Sequence, residues 1–348
     1  MLILSISFLI ITIIAVVTNL DYKNNTFTLV GGSYILFLLA SIRHESMGAD
    51  TMSYMLDFIS LNNITDPTEE YEKGFQYFKL FVASFTDNPT LYLMVNSLIF
   101  ISSVFIFLHR YSKEAFLSII LFVSMGYYQF SFSGLRQSLA MAILLYTYKF
   151  IKDKNLFYFL IFVLIASQFH NSALIFLIAY PVAHWKINFR HFGIMLSLFG
   201  LISFFGIYLI EILINLLKID FLSGRFKAYY DPAFQSQLSL AGFAILFLIW
   251  SFCYVIYIKY DAHEQLKILL NIVFVGLLFQ FMTPLLAEFF RLSMYFSIFT
   301  IALLPNSILL IRSAFNRGLA YVMILLMFIL YYIIFGIDNY GIFKFYWE

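Results

Sequence analysis

The chain reads as an all-α polytopic integral membrane protein, with about 12 transmembrane helices, and three observations predict that class. Of its 348 residues, 62% are hydrophobic and 11% charged, where a soluble domain has about 45–50% and about 25%. Apolar surface in that excess has to face something other than water. The apolar runs are also continuous, whereas a transmembrane β-barrel would show short alternating segments. These features exclude a soluble enzyme, a nucleic-acid-binding domain and a disordered scaffold. A net charge of +2 gives no reason to expect a nucleic acid partner. A lone Cys253 and six scattered histidines leave no intrachain disulfide, CxxC pair or HExxH metal site, so neither metal nor cofactor is expected. No Gly-rich phosphate loop stands between a strand and a helix.

Taken in order, the runs between charged or turn-rich breaks predict helices at roughly 2–18, 28–42, 90–109, 115–130, 134–151 and 156–168, continuing at 171–183, 192–217, 238–259, 266–283, 289–310 and 319–336. The first has no basic residue before it, and Lys23 follows it, which predicts an uncleaved helix with its N-terminus outside. The pairs 115–130/134–151 and 156–168/171–183 have very short breaks and read as tight hairpins facing the outer side, or as re-entrant pairs, which look the same in sequence. Alternating the runs from that start puts 12 of the 21 Lys and Arg residues on one side, with short connections that each carry at least one. That side is expected to be cytoplasmic.

The whole chain, 1–348, then forms a single transmembrane domain. A long extracytoplasmic loop at 43–89 holds eight acids, among them Asp50, Asp57, Glu69, Glu70 and Glu72. A second outer loop spans 218–237. Loops as long as the first are usually functional, so the work is expected on the outer face.

Four arginines stand at or inside outer membrane boundaries: Arg43, Arg136, Arg225 and Arg291. An arginine inside a span costs at least about 2.5–3.5 kcal/mol on insertion scales. Snorkelling, or pairing with an acid such as Glu288, explains any one of them. Four on one side suit a diphosphate, because guanidinium forks match phosphate oxygens. After Arg43 comes Gly48-Ala49-Asp50-Thr51-Met52-Ser53-Tyr54. There Gly48 supplies a turn, Asp50 or Thr51 caps a short helix, and Asp50, Tyr54 and Asp57 share one face. Asp50 reads as a general base, as a structural partner of Arg43, or as a cap. His170, in Gln168-Phe169-His170-Asn171-Ser172, reads as a proton acceptor, a diphosphate-positioning group or an interfacial histidine. Glu69-Glu70-Tyr71-Glu72-Lys73-Gly74-Phe75 offers acids and rings to a sugar, or is a solvated acidic loop.

In order, these elements resemble the EpsG/Wzy-like family of bacterial polysaccharide polymerases. The matching residues are Arg43 with Gly48, Asp50, Thr51 and Tyr54, then Glu72 with Gly74 and Phe75. Arg136-Gln137, then Phe169-His170 with Ser172 and Ala173, and finally Arg291 with Tyr295 complete the series. The resemblance implies a GT-C-like membrane glycosyltransferase, multi-pass in the bacterial inner (cytoplasmic) membrane, with no metal or cofactor. Its substrates would be undecaprenyl-diphosphate-linked oligosaccharide repeat units. The growing glycan would pass to the non-reducing end of an incoming unit, in the making of O-antigen, capsule or exopolysaccharide. Partners would be those lipid-linked substrates, the bilayer and a chain-length regulator protein. Catalysis falls to Arg136 and to Asp50 or His170 as base. Substrate binding falls to Arg43, Arg225, Arg291, Tyr54, Glu72, Tyr295 and Gln137. An O-antigen ligase, using the same donor, and a lipid-linked oligosaccharide flippase are the alternatives.

Overall fold

The computed structural model describes residues 25–61, 71–185, 241–260, 263–283, 288–331 and 344–346, with scattered positions between 190 and 205. Among them the regular structure is helical, apart from one isolated antiparallel bridge between Arg43 and Phe345. The chain divides into two compact units, Met1–Leu177 with Thr300–Glu348, and Ile178–Phe299.

The first unit holds α1 (Asn25–Ser41), α2 (Thr51–Ser60), α3 (Lys73–Ala83), α4 (Pro89–Tyr111), α5 (Ala115–Ser124), α6 (Tyr127–Ser133), α7 (Leu135–Lys152) and α8 (Leu156–Ser167). It also holds a 3₁₀ helix, Asn171–Ile178, most of which lies in this unit, and then α13 (Thr300–Leu309) and α14 (Ala314–Tyr331). At its centre is α4, packed against α1 and α7. Its start is built from the sequence: Asn88 accepts the Thr90 N–H at 2.8 Å and Pro89 occupies the first turn, where a missing N–H costs nothing. Its 23 residues reach about 34 Å, enough for the hydrocarbon core. Its far end is capped by Asn306, whose amide donates to the Tyr111 carbonyl at 2.7 Å and accepts the Lys113 N–H at 2.9 Å. The C-terminal turns of α4 and α7 share one cavity of about 280 Å³ lined by Arg110, Tyr111, Lys149 and Phe150. Basic ends thus gather at one end of this unit. At the opposite ends of the same helices, Tyr92, Leu93, Leu135 and Leu139 pack with Tyr54, Phe58 and Phe75 from α2 and α3.

The second unit contains α9 (Ala179–Ala183), α10 (Ala241–Lys259), α11 (Glu264–Phe281) and α12 (Glu288–Ser297). The Asn271 amide of α11 donates to the carbonyls of Val182, Ala183 and Trp185, at 3.0, 3.1 and 2.8 Å, closing the C-terminus of α9. Ser293 donates to the Gly276 carbonyl at 2.8 Å where α11 and α12 meet.

The chain is a membrane protein by its apolar helices, and the described residues do not by themselves supply the expected twelve spans. Among the described residues three helices are long and apolar enough to cross (α4, α10 and α11), or up to five if the pairs α5–α6 and α12–α13 each count as one broken span. The reason is length and interruption. The expected span 156–168 is a helix of 12 residues, and 171–183 divides into a 3₁₀ and a short α segment. In 115–130 the helix stops at Met125-Gly126, with Gly126 at φ 81°, and resumes bent by 45°. The turn thus sits five residues before the Ser131–Ser133 stretch where polarity suggested it. The expected span 2–18 and the loop 218–237 lie outside the described residues, as does most of 192–217.

Candidate functional site

Four short sequence elements come together in the first unit, and two of them act by docking backbone. The turn 47–51 seats against the end of α6. Gly48 has φ 106°, and a Cβ there would stand 2.8 and 2.9 Å from the carbonyl carbon and oxygen of Phe132. Only glycine fits that approach. Thr51, fully buried, donates its hydroxyl to the Phe132 carbonyl at 2.8 Å, and the Ala49 N–H donates to Ser133 Oγ at 3.0 Å. This clamp holds the residues immediately before Arg136. The second dock joins α3 to the break after α8. A Cβ on Gly74 would lie 2.7 Å from the Gln168 carbonyl oxygen, and the Phe75 N–H donates to that oxygen at 3.1 Å.

Between these docks lies Glu72, at the N-cap position of α3 and 8% exposed. Arg136 Nη1 donates to its Oε2 at 2.8 Å; its Oε1 accepts the Asn171 N–H at 3.0 Å and stands 3.3 Å from His170 Nδ1. Burial raises the Glu72 carboxyl pKa. The close approach of His170 and the hydrogen bonds from the Asn171 N–H and Arg136 outweigh it, lowering the pKa from 4.5 to about 2. Glu72 therefore serves as a fixed anion. Arg136 Nε donates to the Tyr54 hydroxyl at 3.3 Å, and its guanidinium lies 4.7 Å from the centre of the Tyr71 ring. Since Arg136 occupies the second position of α7, its charge adds to the positive end of the helix dipole rather than opposing it. Two sources of positive potential thus converge where Glu72 is held. Three of the five guanidinium N–H groups are left uncommitted among the described residues.

Supporting this cluster is a buried ion pair. Lys79 of α3, 2% exposed, pairs with Asp57 of α2, and its ammonium stands 4.7 Å from the Tyr71 ring centre. Tyr71 is thereby contacted by two cations. Sequence reasoning missed Lys79, although a signal was present: a lysine four residues after Phe75, on the apolar face of an aromatic-rich helix, has to find an acid.

The other expected site residues are placed as follows. Tyr54 and Glu72 join Arg136 and His170. Gln137 is buried directly behind Arg136. Asp50 precedes α2 without a side-chain capping bond. Arg43 is buried to 2% exposure. It donates through Nη1 to the Ala40 carbonyl and to Ser97 Oγ, the latter at 3.2 Å, and packs 4.6 Å from the Phe132 ring centre. Burial lowers its pKa to about 10, with the Tyr128 phenol acting the other way. Its Nε and Nη2 have no hydrogen-bond partner among the described residues. In the second unit, Arg291 stands 3.9 Å from Glu288 with both side chains well exposed, and Tyr295 is buried. Arg225, Glu69 and Glu70 lie outside the described residues. No group of three His, Cys, Asp or Glu able to hold a metal is present among the described residues.

Neither the curated proteins nor the solved structures contain a match to this chain. A family model does match, that of the EpsG family, over residues 26–347. That span includes the Gly48–Tyr54 turn, the Glu72 and His170 docks, Arg136 and Arg291, and by it the chain belongs to the EpsG family.

Proposed function

We propose that the chain is a polysaccharide polymerase on the outer face of a bacterial cytoplasmic membrane, with a GT-C-like arrangement of its helices. In this reading it transfers a growing glycan from undecaprenyl diphosphate to an incoming lipid-linked repeat unit. Membership of the EpsG family supports a role in polysaccharide synthesis. The observation that carries the chemistry is the convergence of Arg136 and His170 on Glu72, at 2.8 and 3.3 Å.

The step follows from these contacts. The Glu72 carboxylate faces the Nδ1 side of His170 at 3.3 Å without a hydrogen bond between them, and in this reading the other ring nitrogen, Nε2, is the proton acceptor. An acceptor sugar hydroxyl gives its proton to Nε2 as its oxygen bonds to the anomeric carbon of the donor glycan. The bond from that carbon to the diphosphate oxygen breaks, and its electron pair leaves with undecaprenyl diphosphate. Arg136 receives the developing negative charge through its uncommitted N–H groups, a fixed donor aimed at charge that grows in the transition state. Between the two candidates for the base, His170 is favoured, because it lies beside the Glu72–Arg136 pair, 3.3 Å from the carboxylate, whereas Asp50 makes no contact with that pair. Tyr54 and Tyr71 hold the arginine in place, one through its hydroxyl and the other through its ring.

The purified protein, reconstituted alone in lipid with a synthetic polyprenyl-diphosphate repeat unit, should produce a ladder of longer glycans and release polyprenyl diphosphate. Transport of the unit across the vesicle without elongation would defeat this reading in favour of a flippase.

A further inference from the structure

The outer segment between α1 and α4 has an unusual surface. Helix α2 buries Tyr54 and Phe58 against the protein yet exposes Met52, Leu56 and Ile59 at i, i+4 and i+7. Helix α3 buries Phe75, Lys79 and Val82 yet exposes Tyr77, Phe81 and Phe85, the last just beyond its end, at 69%, 63% and 76%. A helix between protein and water should carry charge on its open side. Here the only charged residue of α2, Asp57, is committed to buried Lys79, which leaves Lys73 as the one exposed charge on the two helices. Both faces of each helix are therefore largely apolar, and a patch of this kind marks an interaction surface.

What covers it is indicated by the chain on either side. Only residues 84–88 separate α3 from α4, a helix long and apolar enough to cross a membrane. Leu91 and Leu98 on α4 are also exposed, so open apolar side chains recur on the helix that follows the loop, itself long and apolar enough to span a membrane. A helix with one apolar face packed on protein and the other in lipid has this character, with aromatic residues at the water boundary and a lysine for lipid phosphate. We propose that α2 and α3 lie in the outer-leaflet interface of the phospholipid bilayer, docked through Met52, Leu56, Ile59, Tyr77, Phe81 and Phe85. The long outer loop is in that case a membrane-seated platform. Glu72, at the start of α3, is held at headgroup height.

The test uses the full chain in phospholipid nanodiscs. Cys253 is fully buried, so the unsubstituted protein serves as the labelling blank. Leu56→Cys and Phe81→Cys carry an environment-sensitive fluorophore, with Lys154→Cys as a water-facing reference. A shallow nitroxide-labelled lipid should quench the first two at least about threefold more strongly than the reference, with iodide giving the reverse order. Iodide quenching equal to that at Lys154→Cys would overturn the proposal, because the face would then meet water. Protection from both quenchers would overturn it too, by placing another protein surface there. Tyr77→Cys and Phe85→Cys repeat the measurement should either first variant fail to fold. Transfer activity is not used, so this result and the polymerase reading can fail separately.

Discussion

The two glutamate–arginine pairs in the described residues use the same chemistry in opposite ways. Glu72 and Arg136 are 64 residues apart, meet at 2.8 Å and are 8% and 25% exposed. Glu288 and Arg291 are three residues apart on one helix, stand 3.9 Å from each other and are 42% and 49% exposed. The first pair exists only because two backbone docks bring α3, α7 and the break after α8 together. The second follows from helical spacing alone, and such exposed pairs contribute little to stability. The same two residue types thus form a preorganised site in one place and a screened surface contact in the other.

The sharpest way to break this comparison is to remove Arg136. Arg136→Ala should lower glycan transfer by about 10²–10³-fold, the usual loss when one fixed donor to developing charge is deleted. Arg136→Lys should recover only part, since a compact ammonium lacks the planar fork that reaches Glu72, Tyr54 and a phosphate from separate nitrogens. Gel analysis of product length with the reconstituted protein reads both. Normal ladders from Arg136→Ala would remove this residue from the chemistry.

Next in size are the docks. Gly74→Ala pushes a methyl group into the Gln168 backbone, and Gly48→Ala adds strain at φ 106° to a clash with Phe132. Each should cost about 1–3 kcal/mol of stability and a larger share of activity than of fold. Thermal unfolding in detergent, measured beside transfer rate, separates the two effects. Gly242→Ala is the contrast: its added methyl would meet the flexible end of Gln280, and a smaller loss is expected.

Glu72→Gln probes the anion itself. With the carboxyl held at about 2, Glu72 stays ionised throughout pH 5–9, and its titration contributes no limb to the activity profile there. Because its folded value lies below the ordinary 4.5, its contribution to stability is complete above about pH 4.5. It is lost as pH falls toward 2. Wild type should therefore melt above Glu72→Gln by a constant margin at neutral pH, and the margin should shrink steadily below pH 4.5.

Much of this site could be read from the sequence, and the part that could not was long-range. Arg136, His170, Glu72 and Tyr54 stood out because charge and polarity at the edge of apolar runs are costly and need a reason. The helices were legible for the same reason, as apolar runs of one length. What composition cannot convey is which edge meets which. Gly48 looked like a turn residue, whereas its larger role is to let the turn approach the Phe132 carbonyl. Arg43 read as an outer-face ligand, yet the chain buries it against Ser97 and Phe132. Bends went unread as well, since Gly126 stops a helix inside a run that polarity alone would continue.

The smallest expected effect belongs to Arg291. Its pair with Glu288 is half-exposed, so Arg291→Ala should change the melting temperature little, consistent with an exposed pair worth about 0–1 kcal/mol. Transfer is the informative reading. If Arg291 is only a surface partner of Glu288, then Glu288→Gln and Arg291→Ala should act alike and weakly. If it receives a diphosphate, Arg291→Ala should slow transfer while Glu288→Gln leaves transfer intact or improves it, because the neutral amide frees the guanidinium.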